Sequence, residues 1–228
     1  MLTGSALITA TSLGYFDLDS LPPFVIERMP ERFPSLWLGA LRLHVAAALL
    51  TFPLCLVLTT RALQKRAAWH RGLGRLSGVL VLFGLVPSGI VLSFNAKGGR
   101  VVTAGFVLSA AIVAWALARG IVSARRGDLV SHRRAMRHVV GQMSVAVVSR
   151  AMLLGLDYAG IDPDLAYVVA LWGPVLASIA VVELLSLRSR PTLVSVAKLV
   201  ERIRRDFSPP ALLVRARAVA RPRLRIGR

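Results

Sequence analysis

A single cysteine, Cys55, occurs in the 228 residues, so no intramolecular disulfide framework can form. Acidic side chains are scarce, 11 against 29 lysines and arginines. None of them forms the intramembrane acidic pair that many ion-coupled transporters use. The chain also lacks a phosphate-binding glycine loop, an HExxH helix and a Cys-x-x-Cys motif. No spacing of Ser and His marks a nucleophile with its base, which argues against a hydrolase. No basic region precedes the first apolar stretch, so the pattern of a secretory signal peptide is missing. These absences lean away from an enzyme and from a dedicated metal site.

Apolar sequence is what the chain has in abundance. Hydrophobic residues make up 55% of it, and mean hydropathy is +0.65. They come in runs of about 20, the length that crosses a hydrocarbon core. Backbone groups in lipid must be bonded within the spanning segment, and unbroken runs rather than alternation mean helices. The fold class expected is therefore all-α, a polytopic integral membrane bundle of about six transmembrane helices. The spans fall at residues 2–16, 36–58, 76–95, 102–122, 138–156 and 165–187. Residues 1–187 form the bundle, and 188–228 form a basic tail. Within the tail, Leu193, Val196, Val200, Ile203 and Phe207 make one apolar stripe, the pattern of an amphipathic helix lying on a membrane surface.

The net charge of +18 is unevenly spread. Segment 61–75 carries five basic residues and no acidic one, segment 119–137 six and one, and the tail twelve and two. Alternate loops therefore hold the excess, as the positive-inside rule requires of cytoplasmic loops. This distribution reports topology and attraction to anionic lipid headgroups, not nucleic-acid binding. It predicts a multi-pass protein of the bacterial inner membrane with a cytoplasmic C-terminus.

A His-Arg-x-x-x-Arg pattern occurs twice, at His70-Arg71 to Arg75 and at His132-Arg133 to Arg137, 62 residues apart. The same offset lays residues 36–60 over 101–122 and 76–95 over 138–157, which predicts a duplicated antiparallel hairpin core. His/Arg corners at span ends are ordinary interfacial residues. Histidines from adjacent helices are also the usual axial ligands of haem b, so His70 with His132 or His138 is a candidate pair. Two residues lie deeper. His44 and Arg150 sit inside spans at similar depth, and a membrane-embedded charge usually faces the bundle interior with a partner or water. His138, Gln142 and Ser149 share a helix face with Arg150 beside it. The ligand-pocket reading takes His44, Arg150, Gln142 and Ser149 together. The competing reading is interhelical hydrogen bonding that holds the bundle. Pro87-Ser88-Gly89 marks the clearest expected break in a span.

His44, the His70-Arg71-x-x-Gly74-Arg75 corner, the His132-Arg133 corner closing at Arg137, and Arg150 together resemble the bacterial membrane proteins grouped as domain of unknown function 2306. The resemblance covers about residues 36–187. Thr51-Phe52-Pro53-Leu54 departs from it, because a Gly-Pro pair and a following Gln are more usual there. It implies the fold and the choice of residues, not a reaction. The paired hairpins are similar in outline to the core of b-type membrane cytochromes, an analogy of fold alone. Three functions follow as expectations: binding or transport of a small ligand through an internal polar pocket, a b-type cytochrome-like electron carrier, or a structural and assembly role.

Overall fold

The computed structural model describes residues 13–17, 21–188 and 201, and within them every regular element is helical. A short helix α1 (Pro23–Arg28) precedes α2 (Pro34–Leu58), a single turn α3 (Arg61–Gln64) and α4 (Ala67–Ser93). Then come α5 (Gly99–Arg125), α6 (Leu129–Tyr158) and α7 (Pro163–Arg188). The five long helices hold 25 to 30 residues each, and at about 1.5 Å per residue all of them exceed a hydrocarbon core of about 30 Å. Of the expected first span, residues 13–16 form a 3-10 turn and the remainder lies outside the described residues. The tail helix also lies outside them, apart from the helical residue Glu201. Arg42 on α2 holds the 13–17 segment, donating from Nε to the Tyr15 carbonyl at 3.2 Å and from a terminal nitrogen to that of Asp17 at 3.3 Å.

The 62-residue offset of the sequence repeat recurs at one pair of helix starts. Shifted by the 62-residue offset, Ala67 at the start of α4 falls on Leu129 at the start of α6. The hairpins α2/α4 and α5/α6 each pack closely, and α4 joins them by lying against α5. Short connections enforce the antiparallel order. The α5–α6 link turns on Gly127, whose φ of 77° is one that a side chain disfavours. The next residue, Asp128, caps α6 by accepting the Ser131 N–H at 3.0 Å, and the Ser131 hydroxyl together with that N–H holds its carboxyl below the ordinary range.

The outside of this bundle is apolar. Leu50, Phe83, Val107, Val148 and Leu176, one from each long helix, are all exposed, the reverse of a soluble protein and the surface a bilayer covers. Inside, Cys55, Val81, Val113, Ala116, Leu117 and Val139 make a core shared by α2, α4, α5 and α6. Val102, Val145, Leu171 and Val175 bring α7 onto α5 and α6. Small residues permit that approach: a Cβ at Gly105 would stand 2.8 Å from Leu171 Cδ2 and 3.2 Å from the Trp172 ring.

Candidate functional site

The break expected at Pro87 takes the form of a π-turn over Leu80–Leu85, immediately before the proline. Val86 N–H bonds back five residues, to Val81. Proline has no N–H to donate and its ring crowds the preceding turn, so carbonyls near it lose their regular partners. π-turns recur at functional sites, where they re-aim backbone groups. Here the re-aimed group is the Leu85 carbonyl. His44 on α2 reaches it with Nδ1 at 3.2 Å, and the same nitrogen lies 3.1 Å from Ser88 Oγ. Ser88 donates its proton within its own helix, to the Gly84 carbonyl at 2.5 Å.

This geometry decides the tautomer of His44. A carbonyl only accepts, so Nδ1 must carry the proton and donate it. In the neutral ring Nε2 is then a bare acceptor, and no described residue bonds to it. Gly89 closes the other side of the seat: a Cβ there would meet the imidazole at 3.0 Å from Cε1 and 3.3 Å from Nδ1. The result is an imidazole locked at Nδ1 and open at Nε2, as a second partner locks the histidines of many ligand sites.

His44 lies ten residues into α2 and Arg150 eight residues before the end of α6, both about 12–15 Å from the same end of the bundle. The Arg150 guanidinium bonds the Ala146 carbonyl one turn back, at 3.0 Å, and its remaining N–H groups have no partner among the described residues. Its charge acts on both His44 of α2 and Tyr167 of α7, which puts the two rings within electrostatic range of the guanidinium at this end of the bundle. The arginine is exposed there rather than enclosed. The Pro87 region supplies no carbonyl bond to Arg150; His44 takes the one at Leu85. Ser149 Oγ, next along α6, is buried without a hydrogen-bond partner.

Gln142 is separated from this group by its bonding. Ser109 donates to its Oε1 at 2.7 Å, while its Nε2 donates to Ser178 Oγ at 2.7 Å and to the Val175 carbonyl at 3.4 Å. With both ends of the amide engaged, Gln142 pins α6 to α5 and α7.

At the opposite end, the His/Arg corners divide into exposed cations and engaged rings. Arg71, Arg75, Arg133 and Arg137 are all exposed, and Arg133 bonds the Leu129 carbonyl of its own first turn at 3.1 Å. His132 Nδ1 lies 2.9 Å from the Gly120 carbonyl, which leaves its Nε2 open. His70 Nδ1 is buried with no partner, and the ring is near enough to His132 for the charge of one to act on the other. His138 does not join them. It is 8% exposed, and its Nε2 lies 2.9 Å from a carboxylate oxygen of Glu183, whose other oxygen pairs with Arg134. Among the described residues, no cluster of three or more His, Cys, Asp or Glu side chains is arranged to hold a metal ion.

Sequence reading singled out His44 and the Pro87 break separately but not their union, because the partner of each lies on another helix. Neither the role of Gly89 nor the grouping of Arg119 and Trp115 with His138 was marked by any motif.

Long antiparallel apolar helices, an apolar exterior and polar groups gathered inside define a multi-pass helical membrane protein. Residues 41–186 match the family described as "Predicted membrane protein (DUF2306)", well over half of the chain, and the protein belongs to that family. No curated protein and no solved structure matches it.

Proposed function

We propose that the protein binds a small membrane-partitioning ligand between His44 and Arg150, and that it does so in the bacterial inner membrane. The basic segments 61–75 and 119–137 then face the cytoplasm, and α7 runs toward that side, carrying the C-terminus with it. The observation that carries the reading is the open Nε2 of a histidine held at Nδ1 by a π-turn carbonyl. In lipid an imidazole acceptor and a partly bonded guanidinium are costly to leave unmatched. One ligand group satisfies both. A carboxylic acid presents an O–H to Nε2 and a carbonyl oxygen to the guanidinium, and its alkyl part suits the surrounding bilayer.

Octanoic acid tests this on the full chain in detergent micelles, by equilibrium dialysis of radiolabelled ligand. Saturable binding is expected, weakened tenfold or more in His44→Phe and in Arg150→Leu. A hydrogen bond to the charged guanidinium contributes about 1.5–3 kcal/mol, leaving the acid O–H without its Nε2 acceptor costs about 1–3 kcal/mol, and about 1.4 kcal/mol is a factor of ten. Methyl octanoate, which has no O–H for Nε2, should bind as weakly as the variants show. Equal binding of octanoic acid by wild type and both variants would remove the reading.

The buried, unpartnered Nδ1 of His70 favours a second reading. Two imidazoles near one another, one of them His132 with its Nε2 open, suit the axial positions of haem b. His138 drops out of that set, because Glu183 occupies its Nε2. The check is the visible spectrum of protein purified from haem-replete cells, with and without dithionite. A near-stoichiometric Soret band lost in His70→Ala would establish a b-type cytochrome; its absence would leave the ligand site as the sole reading.

A further inference from the structure

A second polar feature lies at the opposite end of the bundle from His44. There α5, α6 and α7 leave a half-open cleft of about 150 Å³. It is lined by Trp115 and Arg119 of α5, Ser131, Arg134, Ala135 and His138 of α6, and Glu183 of α7. Arg119 is six residues from the end of α5, and Glu183 five from the end of α7, so both sit about 8–9 Å inside the helix ends. That is the depth at which tryptophan and arginine meet lipid headgroups.

The charges in the cleft are unequal. Glu183 is already committed, to His138 at 2.9 Å and to Arg134. Arg119 stacks over the Trp115 ring at 5.4 Å from its centroid and forms no ion pair among the described residues. The nearby Asp128 feels the charge of Arg119, but its carboxylate bonds the hydroxyl and the N–H of Ser131 at the start of α6. One guanidinium is thus available to an oxyanion and a second offers its remaining N–H groups, while the Ser131 side chain is engaged by Asp128. Two arginine forks from different helices match the several oxygens of a phosphate better than a single carboxylate. Basic clefts between transmembrane helices on the positive side of a membrane protein are where anionic headgroups dock.

We propose that this cleft binds a phosphate group, with Arg119 and Arg134 holding its oxygens. The group belongs either to a phospholipid headgroup or to free phosphate, and the site is independent of the ligand site at His44.

Trp115 supplies the probe. The full chain in lipid-free maltoside micelles is titrated with inorganic phosphate and, separately, with dihexanoyl phosphatidylglycerol. Fluorescence is read against Trp115→Phe, which isolates that one ring. A saturable change dependent on Trp115 is expected, and Arg119→Gln should weaken it at least tenfold, with Arg119→Lys recovering part of the loss. Arg119 is exposed, and thermal melting of Arg119→Gln is expected to match wild type. If the lipid saturates at concentrations tenfold or more below phosphate, the occupant is a headgroup. If phosphate binds as well as the lipid or better, it is free phosphate. A response to neither, or a response that Arg119→Gln leaves unchanged, overturns the proposal.

Discussion

Gly89→Leu is expected to abolish saturable octanoic acid binding while the helices remain in the membrane. The site at position 89 has no room for a side chain on its inner face, because even a Cβ would stand 3.0 Å from the His44 ring. That ring cannot retreat without giving up the Leu85 carbonyl at 3.2 Å and Ser88 Oγ at 3.1 Å. A leucine therefore expels the imidazole from its seat, and Nε2 is no longer aimed by the π-turn. Overpacking of this kind costs about 1–3 kcal/mol of stability, which a long apolar helix tolerates without leaving the bilayer. Binding should fall as far as in His44→Phe. Retention of wild-type affinity in Gly89→Leu would mean that the seat does not position the acceptor.

The second large effect is on stability rather than binding. Gln142→Leu should destabilise the folded bundle by about 1–2 kcal/mol in bicelles, measured by reversible unfolding. The glutamine joins three helices through Ser109, Ser178 and the Val175 carbonyl, and leucine leaves the Ser109 hydroxyl and that carbonyl without this partner. Interhelical hydrogen bonds in membrane proteins average near 0.6 kcal/mol each, and Gln142 makes more than one. Ser144→Ala is the matched control. Among the described residues its hydroxyl bonds only the Val140 carbonyl of its own helix, at 2.9 Å, so a change within about 0.5 kcal/mol is expected. Octanoic acid affinity should survive Gln142→Leu. Loss of binding there would return Gln142 to the ligand site.

The two variants separate roles that look alike along the chain. His138, Gln142 and Ser149 fall on one face of α6 by helical spacing, and that face does turn inward at His138 and Gln142, both of which are buried. Spacing gives the face but not the partners. Whether a buried amide meets a ligand or Ser109 and Ser178 depends on the rotation and depth of α5 and α7, which no local pattern encodes. The same holds for His138, whose Glu183 partner is 45 residues away. The hairpin repeat was legible because it is written in residue offsets: apolar runs and His-Arg corners recur at one interval, and helix ends follow them. Pro87 was legible as a break, since proline lacks a donor wherever it stands. That the break would become a π-turn receiving a histidine from α2 was not, because it depends on the approach of the two helices at Gly84. There a Cβ would lie 3.0 Å from that of Ala47.

Arg150 shows the limit most clearly. A cation in an apolar run suggests an enclosed partner, yet the guanidinium is exposed, and among the described residues it bonds only its own helix. Its charge nevertheless reaches His44 on α2.

The position of the proton on His44 tests this most directly. Nitrogen-15 NMR of histidine-labelled protein in bilayers distinguishes a protonated from a bare ring nitrogen, and His44→Phe identifies the signal. The ligand-free protein should show the proton on Nδ1 and a bare Nε2, with the Nε2 resonance moving as octanoic acid saturates the site. A proton on Nε2, or an Nε2 signal unmoved at saturation, would contradict it.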